Sequence, residues 1–222
     1  MRLPLVSMRL VAMTLALAGP AAAQDFTGWI GGGAILPAGT VRTKYETGWY
    51  ATAGIGRRLD DRLSLRFDYG LSQQRLVAHA LEGAFVDGGH DVHAFELSLR
   101  YTLDPEGSAP IYFLGGPGLY RQTTQITQVR DYVPGPSVCD PWLMVCAPGP
   151  VPVSEILGSR SSTDLGWTLG VGVEVSFWEG GRSRFFVEAR WRYVRGPEYG
   201  LPGESPQRGS GSYFPLTIGL RY

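Results

Sequence analysis

The 222-residue chain has only two cysteines and three histidines, and it carries no surplus of either charge, since 20 Lys and Arg residues meet 20 Asp and Glu. Lacking a basic run, it is a poor partner for a polyanion, and no nucleic-acid contact is expected. It has no acidic tail, so composition gives no sign of a solvated, disordered end. After the first two dozen residues there is no apolar run near the ~20 residues that a transmembrane helix requires. Glycine and proline are plentiful instead: the 31 glycines and 16 prolines argue against a mainly helical chain and for an all-β one of a single domain.

The first 23 residues are of another kind. Arg2 and Arg9 give a positive start, "LVAMTLALA" is a short apolar run, and Ala21-Ala22-Ala23 offers small residues for cleavage before Gln24. This pattern predicts a secretory signal peptide over 1–23 and a mature domain over 24–222 outside the cytoplasm.

Beyond Gln24 the chain is a succession of segments in which apolar residues recur at every second position, the mark of a strand between two different environments. In "RLSLRFDYGLS" Leu63, Leu65, Phe67, Tyr69 and Leu71 share one face, and Arg66 and Asp68 lie on the other. The pattern returns in "HAFELSLRYTL", "DLGWTLGVGVEVSF", "RFFVEARWRYV" and "SYFPLTIGLRY", is shorter in "WYATAGIG", and is blurred by glycine in "FTGWIGGGAIL" and "IYFLGGPGLY". Eight strands are predicted, near 26–36, 47–58, 62–73, 92–103, 110–121, 164–178, 184–194 and 212–222. Their connections alternate short and long, with 37–46, 74–91, 122–163 and 195–211 as long loops. An up-and-down antiparallel barrel would then carry every short turn and both termini at one end.

Strand length decides what meets the apolar face. Strands of ten or more residues exceed the usual ~5–6 of soluble sheets and suit the ~9–11 of a tilted membrane strand. A lipocalin-like barrel would turn charge outward; here the alternate face is mostly Gly, Ser and Thr with scattered Arg and Glu. Aromatics near strand ends, at Trp29, Trp49, Tyr101, Tyr112, Tyr120, Phe177, Trp178, Tyr193 and Tyr222, are expected to form interfacial girdles. Lipid is the expected neighbour.

On these features the chain resembles the small outer-membrane β-barrel superfamily, which includes OmpA-like transmembrane domains and OmpX-like eight-stranded barrels. The resemblance implies an eight-stranded antiparallel transmembrane barrel in the bacterial outer membrane. It also implies that the terminal strand, through Phe214, Leu216, Ile218, Leu220 and Tyr222, is read by the β-barrel assembly machinery. Lipid and lipopolysaccharide are its expected surroundings. OmpA-like proteins continue into a peptidoglycan-gripping domain, and with the sequence ending at Tyr222 no cell-wall tether is expected.

Fold alone does not set function. Lipid A-modifying barrels pair a histidine with a serine and a carboxylate near the outer rim; the seventh strand, "FFVEARWRYVRG", has no His-x-Ser, and no enzyme is expected. His90, Asp91 and His93 stand close in sequence, but on a strand the two histidines point to opposite faces, so no metal is assigned. The glycine runs lack the helix and Lys-Ser/Thr of a phosphate loop, and no cofactor is assigned.

The inward register holds Arg66, Asp68, Glu96, Arg100, Glu174, Glu188, Arg190, Arg192 and Arg221. An eight-stranded barrel is just wide enough for side chains to fill, and buried ions must pair, so a plugged lumen is expected. Gly54, Gly56, Gly170, Gly172 and Gly219 in the same register would make room for the long Arg and Glu side chains. The expected function is a non-enzymatic barrel that contributes to envelope structure and displays loops to a surface partner of unspecified identity. The alternative is a narrow transport barrel for ions or small apolar solutes. In the longest loop, Cys139 and Cys146 are expected to form a disulfide after export, with Trp142 and Leu143 in an apolar tip placed for surface contact.

Overall fold

The computed structural model describes residues 26–77, 87–140, 145–176, 183–199 and 207–222, and the surroundings of their side chains except at 128–155, 197–199 and 207–208. The predicted leader over 1–23 lies outside the described residues. Eight strands form: β1 (Phe26–Ala38), β2 (Gly48–Arg58), β3 (Leu63–Arg75), β4 (Asp87–Thr102), β5 (Ile111–Asp140), β6 (Val145–Ser176), β7 (Arg184–Tyr199) and β8 (Gln207–Arg221). Each pairs antiparallel with the next, and β8 returns to β1, so the sheet closes into a barrel without a free edge at membrane height. Followed from Phe26 around the sheet to Phe214, the register returns at Leu36, ten residues along β1; that offset requires tilted strands.

Alternation along each strand produces a protein that is inside out by soluble standards. Ile218 is 53% exposed while Asp68 and Glu96 are 0% exposed. Ile30, Phe67, Leu97, Leu119 and Trp167 also face outward on neighbouring strands. Such a belt of exposed side chains is stable only against hydrocarbon, where a closed barrel satisfies its backbone internally. Phe26, Tyr222 and the short connections 59–62 and 103–110 lie at one end. One connection, Leu59–Arg62, is tightened by the Asp60 carboxylate, which accepts from the amides of Arg62 (2.8 Å) and Leu63 (2.6 Å).

Two expectations about outward and inward residues need correction. Trp49, Tyr101 and Tyr222 do face outward, but Trp29, Tyr112 and Tyr120 turn into the lumen and are almost fully buried. Their polar tips are needed there: Trp29 Nε1 donates to Asp68 (2.9 Å), Tyr112 Oη to Glu188 (2.7 Å) and Tyr120 Oη to Glu96 (2.7 Å). Phe177 and Trp178 lie outside the described residues. The inward glycines, in turn, make room chiefly for rings. A Cβ on Gly54 would stand 2.3 Å from the Trp29 ring and one on Gly172 2.4 Å from the Tyr112 ring; Gly170, opposite Arg190, is the case nearest to the expected one.

The long-loop end also differs from expectation. Where the sequence predicts a loop over 122–163, β5 and β6 continue as one hairpin to Asp140 and Val145. β4 leaves β5 at Thr127, so the last 13 residues of β5, 128–140, have β6 alone as neighbour among the described residues, a length of about 43 Å. In water both faces are polar, as in "RQTTQITQ", so the alternation that betrays a strand in lipid is lost. Connection 39–47 folds over the mouth after a 3-10 turn at Gly39–Val41. The Tyr45 ring stacks on His90 with centroids 4.4 Å apart, and Val77 N donates to Lys44 O at 2.9 Å. Beneath it Ile35, Tyr50, Val92, Tyr120, Val194 and Tyr213 form an apolar plug.

Candidate functional site

The lumen is the polar centre of the molecule, and its nine sequence-predicted charges separate into two tiers. The middle tier contains Arg66 and Asp68 from β3, Glu96 from β4, and Glu188, Arg190 and Arg192 from β7. Arg190 reaches three carboxylates: Glu188 through Nε, Glu96 at 2.6 Å and Asp68 at 2.8 Å. Arg66 bridges Asp68 and Glu188, each at 2.9 Å, and Arg192 Nε meets Glu96 at 2.6 Å. Three guanidiniums thus balance three carboxylates.

Charges taken this far from water are costly unless paired and hydrogen-bonded, and aromatic side chains add to the pairing here, though Asp68 Oδ2 and the Nε atoms of Arg66 and Arg192 have no hydrogen-bond partner among the described residues. Arg66 lies over the Trp29 ring at 4.1 Å and Arg192 over Tyr50 at 4.7 Å, while Arg192 Nη2 donates to Tyr50 Oη at 2.7 Å. Every carboxylate of the tier is held by at least one guanidinium, so none stands ready to take a proton from a substrate. The arrangement fills space and cancels charge across the lumen.

The lower tier is unlike the first. Glu174 from β6 is shared by Arg100 from β4 (2.8 Å), Arg221 from β8, and Arg184 from the start of β7 (3.6 Å). It forms the floor of a cavity of 1090 Å³ that opens at the short-turn end. Arg62, on the rim, has its guanidinium pushed above the ordinary pKa by hydrogen bonding to Tyr101 and by the charges of Asp104 and Asp60.

Sequence reasoning missed Arg184, Trp29, Tyr50, Tyr112 and Tyr120 as members of this network. Arg184 was legible, because it shares the even register of Glu188 and Arg190 on the same strand. So was Tyr50, which shares the register of Gly54 and Gly56 on β2; Trp29, Tyr112 and Tyr120 were not, since glycine blurs the alternation of their strands and rings suit either face. His90 and His93 fall on opposite faces: His90 is inside, bonded to Thr124 Oγ1 (2.8 Å), and His93 is outside, bonded to Tyr69 Oη (2.8 Å). The terminal-strand residues Phe214, Leu216, Ile218, Leu220 and Tyr222 all face outward. Cys139 and Cys146 are register partners near the end of the hairpin; their side chains, and Trp142 and Leu143 altogether, lie outside the described part.

A closed eight-stranded barrel, with an apolar belt outside and ion pairs inside, is a transmembrane β-barrel of the kind that crosses bacterial outer membranes. A family model described as outer membrane protein beta-barrel domain matches residues 9–206, and the chain belongs to that family. The protein accordingly resides in the bacterial outer membrane. Among solved structures it is similar to a major outer membrane protein from Thermus thermophilus, with 12% identity, a TM-score of 0.54, and coverage of 89% of this chain and 98% of that one. It also aligns with Neisserial surface protein A (13% identity, TM-score 0.48, 88% and 95% covered). A third alignment is with Ail, the attachment invasion locus protein of Yersinia pestis (10%, 0.46, 89% and 99%). At these identities the likeness concerns the fold alone. No curated protein matches the chain.

Proposed function

We propose that the protein is a non-enzymatic, non-conducting barrel that contributes to envelope structure and carries the β5–β6 hairpin out to a partner at the cell surface. The observation that supports it is the filled lumen: a balanced middle tier of six charges lies below an apolar plug that Tyr45 closes against His90. A solute crossing the barrel would have to break buried ion pairs, each costing about 3–5 kcal/mol when one partner is lost. Near the mouth His90 is bonded to Thr124, and Asp164 to Gln122 and Ser162, which supports the non-enzymatic part of the reading. Lipid, lipopolysaccharide and the β-barrel assembly machinery, acting through the terminal strand, are the partners this reading requires.

Two measurements test it. The purified barrel in a planar bilayer is expected to give no large, steady conductance; observing one would replace the reading with a narrow transport barrel. Cells carrying a variant that lacks residues 128–155 are expected to hold a folded barrel, recognised by different gel mobility before and after boiling, that has lost surface attachment. Undiminished attachment would remove the hairpin from the function.

A further inference from the structure

The two tiers of the lumen have different charge balances. The middle tier sets three guanidiniums against three carboxylates. Among the described residues of the lower tier a single carboxylate, Glu174, serves three guanidiniums, those of Arg100, Arg184 and Arg221. The register makes the imbalance sharper, because Arg184 and Arg221 are directly opposite one another on β7 and β8. Like charges in directly opposed positions repel, and they are tolerated when a counter-charge lies between them. Glu174 Oε1 is already occupied by both Arg100 and Arg221, and Arg184 is left at 3.6 Å from Oε2.

Donors remain unused as well. The Nε atoms of Arg100 and Arg221 have no hydrogen-bond partner among the described residues, although the two side chains are more than nine-tenths buried. All three arginines line the 1090 Å³ cavity, which opens at the short-turn end, the periplasmic side in outer-membrane barrels, without crossing the middle tier. Two surplus positive charges among the described residues, at the floor of a recess with low-dielectric protein walls, create a local potential that favours an anion. Guanidinium geometry selects among anions, since its planar fork pairs best with a group carrying two coplanar oxygens.

We propose that this vestibule is an anion-binding site for a phosphate-class oxyanion, held by Arg184 and Arg221 with Arg100 behind them. Glu174 is its built-in competitor, holding the arginines in place when the anion is absent. The rim carries more carboxylates than guanidiniums, though Asp60 is engaged by its own turn. That negative collar admits a small anion better than a polyanion. The phosphate group has two sources on this side of the membrane, a free periplasmic anion or the headgroup of an inner-leaflet phospholipid. The site stands whether or not the barrel displays its hairpin to a partner.

The test uses the full barrel, folded in zwitterionic detergent, with unfolding followed against inorganic phosphate at constant ionic strength. A saturable rise in the wild-type midpoint is expected. Arg184→Gln, at the most exposed of the three arginines, should weaken apparent affinity about tenfold, the equivalent of one favourable charge contact. Glu174→Gln, which frees the arginines, should make stability depend on phosphate more steeply than in the wild type. If that variant does not fold, the comparison of wild type with Arg184→Gln still decides. No saturable response, or the same response in wild type and Arg184→Gln, overturns the site. To separate the sources, the barrel is placed in vesicles of phosphatidylcholine with or without phosphatidylglycerol. A response to free phosphate that persists in both supports a soluble ligand, and one suppressed by phosphatidylglycerol supports a headgroup.

Discussion

Arg190 is the side chain on which the middle tier turns, and replacing it by glutamine tests the plugged lumen quantitatively. The wild-type tier is neutral, with three carboxylates and three guanidiniums at nearly zero exposure. In Arg190→Gln, Asp68 and Glu188 retain Arg66, and Glu96 retains Arg192. Three negative charges then face two positive ones. Fully burying one uncompensated carboxylate would cost more than the barrel's stability, but the cost has a ceiling, because the cluster can take up one proton. That step costs about 1.4 kcal/mol for each pH unit above an ordinary carboxyl pKa near ~4.3. The ceiling is therefore about 4 kcal/mol at pH 7 and about 1 kcal/mol at pH 5. Urea unfolding in lipid vesicles should show the variant strongly destabilised at pH 7 and close to wild type at pH 5, the penalty rising with pH. Arg195→Gln, at an exposed site above the belt on the same strand, should be neutral at both. Equal penalties for the two variants, or an Arg190→Gln penalty independent of pH, would mean that the lumen is wet enough to solvate single charges.

Further expectations concern the lipid face, the glycines and the hairpin. Ile218→Arg, on the outward face of β8, should cost about 2–4 kcal/mol near the bilayer midplane, with Ile218→Leu almost neutral; unfolding from vesicles checks both. Gly172→Ala drives a methyl to 2.4 Å from the Tyr112 ring and should cost about 1–3 kcal/mol, whereas Gly89→Ala, with nothing within 4 Å, should cost well under 1 kcal/mol, as the same measurement would reveal. For the cysteines, which stand opposite each other in register, a disulfide is proposed. Thiol labelling of intact, unreduced cells should leave Cys139 and Cys146 unmodified, and reduction should expose both while leaving the barrel's gel mobility unchanged.

Much of the architecture was legible because lipid writes a strong signal. On β3, β4 and β6 each outward position in the bilayer must be apolar, so Leu65 and Phe67, Leu97 and Leu99, Leu169 and Val171 report both strand and facing. That signal stops where lipid stops. From Arg121 upward β5 is polar on both faces, Gln122 and Thr124 bonding inward to Asp164 and His90, so "QTTQ" shows no alternation and a strand that continues to Asp140 reads as a loop. Glycine-rich β1 failed for a different reason: Trp29 sits among residues with little side chain, and its orientation follows from Asp68, a residue of another strand.

The lumen charges were legible individually but not as pairs, and the reason is geometric. Register along one strand shows that Arg66 and Asp68 point inward; it carries no information about what faces them from the opposite wall. The observed partners, Arg66 with Glu188 and Asp68 with Arg190, cross from β3 to β7 and are 122 residues apart in each case. Whether two such side chains meet depends on their heights along the barrel axis. Those heights are set by the cumulative stagger around the sheet, the ten-residue offset with which β8 rejoins β1. A change of two residues in that offset would keep every inward residue inward and every lipid-facing residue in lipid. It would nevertheless move Arg190 one inward position along the wall and leave Glu174 with a different set of arginines. Alternation therefore specifies the two faces, while closure chooses the ion pairs, and the choice leaves a neutral middle tier above an arginine-rich vestibule.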